Sequence, residues 1–139
     1  MASNLAIIDT SIFIDYLRSG LHQELISSLS YVVRNSAVVL AELGCGAKTR
    51  AERHFLEQLA ANYPIWVPTR NHWLESGLII NRIRQAHGFE APKLRDMHFD
   101  VLIALTARSY GARVLTSNRT DFETIACYLK FELEVCSSF

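Results

Sequence analysis

Short apolar runs of strand length alternate with segments of helical period along this chain. That alternation limits the fold to an α/β sandwich on a short, mostly parallel sheet. Residues 5–8 (LAII) read as a buried strand, and Thr10 or Ser11 caps a helix on which Ile12, Phe13, Tyr16 and Leu17 recur at helical spacing until Gly20. A short helix is expected over 23–29, a strand over 31–33 and a helix over 37–47 with Ser36 as its N-cap. A polar helix over 50–61 and a strand over 65–67 follow. Thr69 then caps an amphipathic segment over 73–87, which Gly88 ends. GFEAPKLRD reads as a loop leading to a strongly apolar helix over 99–110. Residues 113–116 form a strand, SNRTD a turn and 122–129 a short helix. Phe131, Leu133 and Val135 alternate with Glu132 and Glu134, as in a half-exposed edge strand. No repeat or linker divides the 139 residues, so 1–139 reads as one domain.

Composition removes several classes of function. Fourteen Lys and Arg balance fourteen Asp and Glu, so a polybasic coat for nucleic acid is excluded while a local basic stripe is not. Cys45, Cys127 and Cys136 form no CxxC pair and suit a reducing cytoplasm. No basic leader with a long apolar stretch opens the chain and no apolar run approaches membrane-spanning length, so a cytoplasmic protein without membrane contact is expected. GxxxxGK[ST], GxGxxG and GxSxG are all absent. The five histidines never fall at i, i+4, which disfavours a helical zinc site.

Four acids lie where an acid is unexpected. Asp9 ends the first strand, Glu42 lies inside AVVLAELGCGA, Asp100 heads DVLIALTA, and Asp121 follows VLTSNRT. An ionised carboxylate in apolar surroundings needs a partner or a raised pKa. Arg119 beside Asp121 is the one basic residue in these segments, so a divalent cation is the natural partner. Mg²⁺ prefers oxygen ligands, and two such ions roughly 3.5–4 Å apart can activate water against a phosphodiester. Taken singly, Asp9 and Asp121 also fit turn residues, and Asp100 fits a charge at a helix N-terminus. Asp96, one turn before Asp100, reads as an acid in a first helical turn, and His98 between them points elsewhere.

The segments IIDTSIFID, SAVVLAELGCGA, FDVLIALTA and VLTSNRTDFETI stand in the order and spacing of a PIN-domain ribonuclease. The chain resembles in particular the VapC toxins of bacterial VapBC toxin–antitoxin pairs, over essentially its whole length. The resemblance implies a PIN-like three-layer α/β/α sandwich and an endoribonuclease using Mg²⁺, with Mn²⁺ as a possible substitute. Asp9, Glu42, Asp100 and Asp121 would be its metal ligands and catalytic residues, supported by Ser11 (or Thr10), Thr116 and Asn118. It also implies a cognate VapB-like antitoxin, received near Ile12, Phe13, Tyr16 and Val39, and a homodimer. Arg82, Arg84, Lys93, Arg95 and Arg119 are candidates for contacts with RNA phosphates, and Phe89 for base stacking. Trp66 and Trp73 read as core or interface residues. Two other readings remain open: an RNA-processing PIN nuclease without an antitoxin, and an inactive PIN-like module that only docks RNA or protein.

Overall fold

A computed structural model describes residues 4–27 and 30–137. The chain runs β1 (Leu5–Ile8), α1 (Thr10–Ser19), α2 (Gln23–Ser27), β2 (Val32–Ser36), α3 (Ala37–Gly46), α4 (Arg50–Asn62), β3 (Ile65–Trp66), α5 (Arg70–His87), α6 (Ala91–Ser109), β4 (Arg113–Thr116), α7 (Arg119–Ala126) and β5 (Glu132–Val135). The five strands form one sheet in the order β3-β2-β1-β4-β5. Every pairing in it is parallel, so the expected mostly parallel sheet is wholly parallel. Helices cover it as a three-layer α/β/α sandwich.

This order follows from the strands' composition. β1 is apolar almost throughout and buried from Ala6 onward, as the central strand of a covered parallel sheet must be. β5 closes one edge as expected, but its exposure does not alternate: Glu132 is exposed while Leu133, Glu134 and Val135 are all half-buried. The chain builds outward from β1 through β2 to β3, then crosses back to place β4 on the other flank of β1. The carboxyl ends of β1 and β4 therefore meet at the sheet's topological switch point, where α/β folds gather their sites.

Two apolar clusters share α6. Leu102, Ile103 and Ala107 pack with the sheet, while Met97, Val101, Ala104 and Leu105 pack with α5 and α7. A helix buried on both sides has to be apolar nearly all round, which accounts for the sequence from Val101 to Ala107.

Several boundaries differ from expectation. GFEAPKLRD is not a loop throughout: α6 begins at Ala91, with Pro92 in its first turn, where a missing N–H and a fixed φ cost nothing. Asp100 therefore lies in mid-helix and gains no support from a helix N-terminus, and Asp96 lies in the second turn rather than the first. Asp9, rather than Thr10 or Ser11, holds the N-cap position of α1, and its side chain makes no capping bond. The SNRTD segment is already helical from Arg119, capped by the Asn118 side chain. The second helix is described to Ser27, and residues 28–29 of the expected span lie outside the described residues. Among the described residues no helix is long and apolar enough to cross a membrane.

Candidate active site

Four elements deliver the four acids to one end of the sheet. Asp9 leaves the end of β1, with its N–H donating to Leu115 O in β4 at 2.8 Å. Glu42 projects from α3, whose start Ser36 fixes by accepting from Val38 N and Val39 N. Asp100 comes from α6, and Asp121 from the first turn of α7. Asp9 is 3% exposed, and Asp100 and Asp121 are each 7% exposed.

Their electrostatics show that they share one space. Burial pushes the Asp100 carboxyl well above the usual carboxylate range, and the charges of Asp9, Glu42, Asp121 and Asp96 add to the effect. Glu42 is pushed up by burial and by Asp9 and Asp96, against a lowering hydrogen bond from Thr10. Asp9 is also raised by burial, although four hydrogen bonds oppose the shift. Asp96 sits on the exposed rim of this cluster and contributes only repulsion.

Short polar side chains hold the acids in place. Thr10 Oγ1 donates to Glu42 Oε1 at 2.8 Å. Ser11 Oγ and Thr116 Oγ1 both donate to Asp9 Oδ2, at 2.7 and 2.8 Å. The same two hydroxyls accept the N–H groups of Ser117 and Asn118, at 3.1 and 2.9 Å. Asp9 is thereby tied to the β4–α7 turn that carries Asp121. Thr10 and Ser11, alternatives in the sequence reading, act on different acids. Asn118 closes the set, its Nδ2 donating to Asp121 Oδ2 at 3.2 Å.

A further layer was not visible in the sequence. Asp15 Oδ2 accepts from Ser117 Oγ at 2.9 Å and meets His22 Nε2 at 3.0 Å. His22 adopts φ 67°, an uncommon conformation for a residue with a side chain, and from there braces Asp15. The available signal was that Asp15 follows Ser11 by four residues and so shares its helix face.

Cations are distributed differently from expectation. Arg119, Asp121's neighbour in sequence, turns outward to Glu123 at 3.3 Å. Lys93, 28 residues earlier, makes the ion pair with Asp121. Lys93, Asp96 and Asp100 recur at helical spacing on one face of α6, so starting that helix at Ala91 brings the lysine into reach. Arg82, Arg84 and Arg95 are exposed on the helical hairpin. His98 lies apart from the acids, hydrogen-bonded to Ser76 Oγ at 2.8 Å and edge-on to Trp73.

The donor set suits a hard divalent cation. Asp9 Oδ1 is buried with no hydrogen-bond partner, an orphan acceptor costing about 1–3 kcal/mol or more unless a cation meets it. Among the described residues no three acidic, histidine or cysteine side chains already stand in an arrangement that would hold an ion.

A family profile for the PIN domain matches residues 6–126. The chain belongs to the PIN-domain family. Similar solved structures include DNA-bound VapBC from Salmonella typhimurium, 21% identical, covering 97% of this chain and 98% of that one at a TM-score of 0.69. VapBC2 from Rickettsia felis, bound to a promoter DNA fragment, is 18% identical, with coverage of 96% and 99% and a TM-score of 0.69. VapBC-1 from nontypeable Haemophilus influenzae is 21% identical, with coverage of 94% and 97% and a TM-score of 0.66. No curated protein matches the chain significantly.

Within this PIN domain the Thr116 hydroxyl is the joint between Asp9 and the α7 turn. Thr116→Val keeps the side-chain shape and removes both bonds, leaving buried groups unpaired. A stability loss of roughly 1–3 kcal/mol is expected in urea unfolding. An unchanged midpoint would show that the joint contributes nothing.

Proposed function

We propose that this PIN domain is a metal-dependent endoribonuclease of the VapC toxin type, restrained by a small VapB-like antitoxin. The observation that carries the reading is Asp100. A carboxylate is placed in mid-helix, buried, among three other converging acids, an arrangement unfavourable when ionised that a bound cation would stabilise. Mg²⁺, or Mn²⁺ in its place, would be held by Asp9, Glu42, Asp100 and Asp121, and when bound supplies Lewis-acid polarisation and a more acidic water. The chain's own part is orientation. Ser11 and Thr116 fix Asp9 Oδ2 and so present its free Oδ1, while Thr10 fixes one oxygen of Glu42 and leaves the other. Asn118 holds Asp121 from one side as Lys93 holds it from the other. The Thr10, Ser11 and Thr116 hydroxyls are engaged with the acids, and in this reading water is the attacking group and no covalent enzyme intermediate forms.

The fold supports the partners. A cleft between α1, α3 and α4 is lined by Ile14, Leu17, Leu43, Phe55 and Leu56, with Arg18 and Glu42 also on it. This cleft, rather than the buried Ile12, Phe13 and Val39, is the surface that offers an antitoxin helix apolar contact. Val67, Trp73, Leu74, Leu78 and Phe99 are exposed apolar side chains that a homodimer would cover. Trp66 instead stacks on Tyr110 at 3.8 Å. Three unpaired thiols accord with a reducing cytoplasm.

One observation favours the inactive-module reading: the Lys93–Asp121 pair already neutralises one of the four acids. Total cellular RNA incubated with purified, antitoxin-free protein separates the two. Discrete fragments in Mg²⁺ or Mn²⁺, lost in EDTA, are expected. Intact RNA under every metal would overturn the nuclease reading.

A further inference from the structure

The α5–α6 hairpin and the segment after α7 carry a run of aromatic and cationic side chains, of which only Lys93 meets one of the acids. The Arg82 guanidinium lies over the Tyr128 ring, 5.4 Å from its centroid. Tyr128 Oη and His87 Nε2 are hydrogen-bonded at 3.0 Å. The His87 ring stacks on Phe89, with centroids 5.0 Å apart and planes 6° from parallel. The Lys93 ammonium lies 5.9 Å from the Phe89 centroid, and the same group reaches Asp121. Five side chains, from α5, the α5–α6 turn, α6 and the segment after α7, thus form a series of contacts that ends on a carboxylate of the site.

Packing explains part of this. Phe89 and Tyr128 rest partly against the second apolar cluster, which anchors them. It does not explain the exposed His87 and Arg82, which add a flat ring and a delocalised cation to the solvent side of that anchor. Flat rings interleaved with Arg and Lys are what a single-stranded nucleic acid needs, because every base has a π-face and every linkage a charge. Duplex RNA keeps its bases stacked inside and gains little from such a surface.

We infer that the strip from Arg82 through Tyr128, His87 and Phe89 to Lys93 is the track for the single-stranded RNA beside the bond that is cut. Bases stack on the His87–Phe89 platform and on Tyr128, a backbone phosphate meets Arg82, and Lys93 lies between platform and acids. The inference rests on the nuclease reading above.

Fluorescence anisotropy tests it, using the full chain, EDTA to prevent cutting, and a labelled single-stranded RNA of about 12 nucleotides. Phe89→Leu, which retains an apolar side chain but loses the flat face, is expected to weaken binding about tenfold. Arg82→Gln, at an exposed position that does not endanger the fold, should make the slope of log affinity against log salt shallower by about 0.7. Arg53→Gln on α4 should do neither. A wild type that cuts RNA in Mg²⁺ while both strip variants bind it unchanged overturns the track and leaves the nuclease intact. Equal affinity for a duplex of the same length also overturns the track. A wild type that neither binds nor cuts RNA overturns the nuclease reading, and the track falls with it.

Discussion

Asp100→Asn will abolish metal-dependent RNA cleavage and at the same time make the metal-free protein harder to melt. The two effects have one cause. Asp100 is 7% exposed, in mid-helix, with Asp9, Glu42, Asp121 and Asp96 all raising its pKa. Ionising it without a counter-ion works against the fold, and the amide retains the shape without the charge. Relief of about 1 kcal/mol or more is expected, and at roughly 3–5 °C per kcal/mol for a chain of this size it is readable in a thermal melt. Removing a group that merely orients a metal ligand costs about 10- to 100-fold, so loss of the ligand itself should cost at least a hundredfold in cleavage. Glu57→Gln, on the exposed face of α4, should change neither. A variant that is more stable yet fully active would show that Asp100 is buried for a reason unrelated to metal. One that loses both stability and activity would mark it as structural.

In EDTA, stability will fall as pH rises above the ordinary carboxylate range, and divalent cation will restore it at the upper end. The folded pKa values of Asp100, Asp9 and Glu42 are all raised above their unfolded values. Between the ordinary carboxylate range and those raised values, the folded chain holds protons that the unfolded chain has lost. Stability then decreases with pH, and the loss is complete above the folded pKa values. His98 acts in the opposite direction, because burial pushes its imidazole down and the folded chain binds fewer protons there. Glu52, lowered by the N–H groups of Lys48 and Thr49, also favours higher pH, from a partly exposed position. Against these two stand the buried Asp9 and Asp100 and the half-buried Glu42, with Asp100 raised well above the ordinary range. Melting curves of wild type and Asp100→Asn across this range isolate the cluster, since the variant's slope should be the shallower. Cleavage should run the other way, declining as acid protonates the ligands. A wild-type melting point that rises with pH in EDTA would contradict the clustered-acid account.

The strands and most helices were legible because each is specified locally. LAII and RVLT state their burial in their own residues, and Ser36, Thr69 and Gly88 mark ends by short-range hydrogen bonding or left-handed backbone. The GFEAPKLRD segment reads as a loop although α6 begins inside it, because proline breaks a helix anywhere except its first turn and local sequence does not say which turn Pro92 occupies. That one boundary displaced Lys93, Asp96 and Asp100 together. Arg119 is the neighbour of Asp121 in sequence, but on a helix Glu123 at i+4 is the residue within its reach.

The sequence by itself determined that this chain is an α/β domain and that Asp9, Glu42, Asp100 and Asp121 stand in unfavourable surroundings, because apolar periodicity and charge are properties of neighbours along the chain. Only the tertiary structure decided which groups meet. The crossing from β3 to β4 brings Thr116 against Asp9, 107 positions away, and the α5–α6 hairpin carries Lys93 to Asp121. Contacts across such separations depend on how layers pack and where helices begin. The energy that selects them is distributed over two apolar clusters rather than held in any one segment.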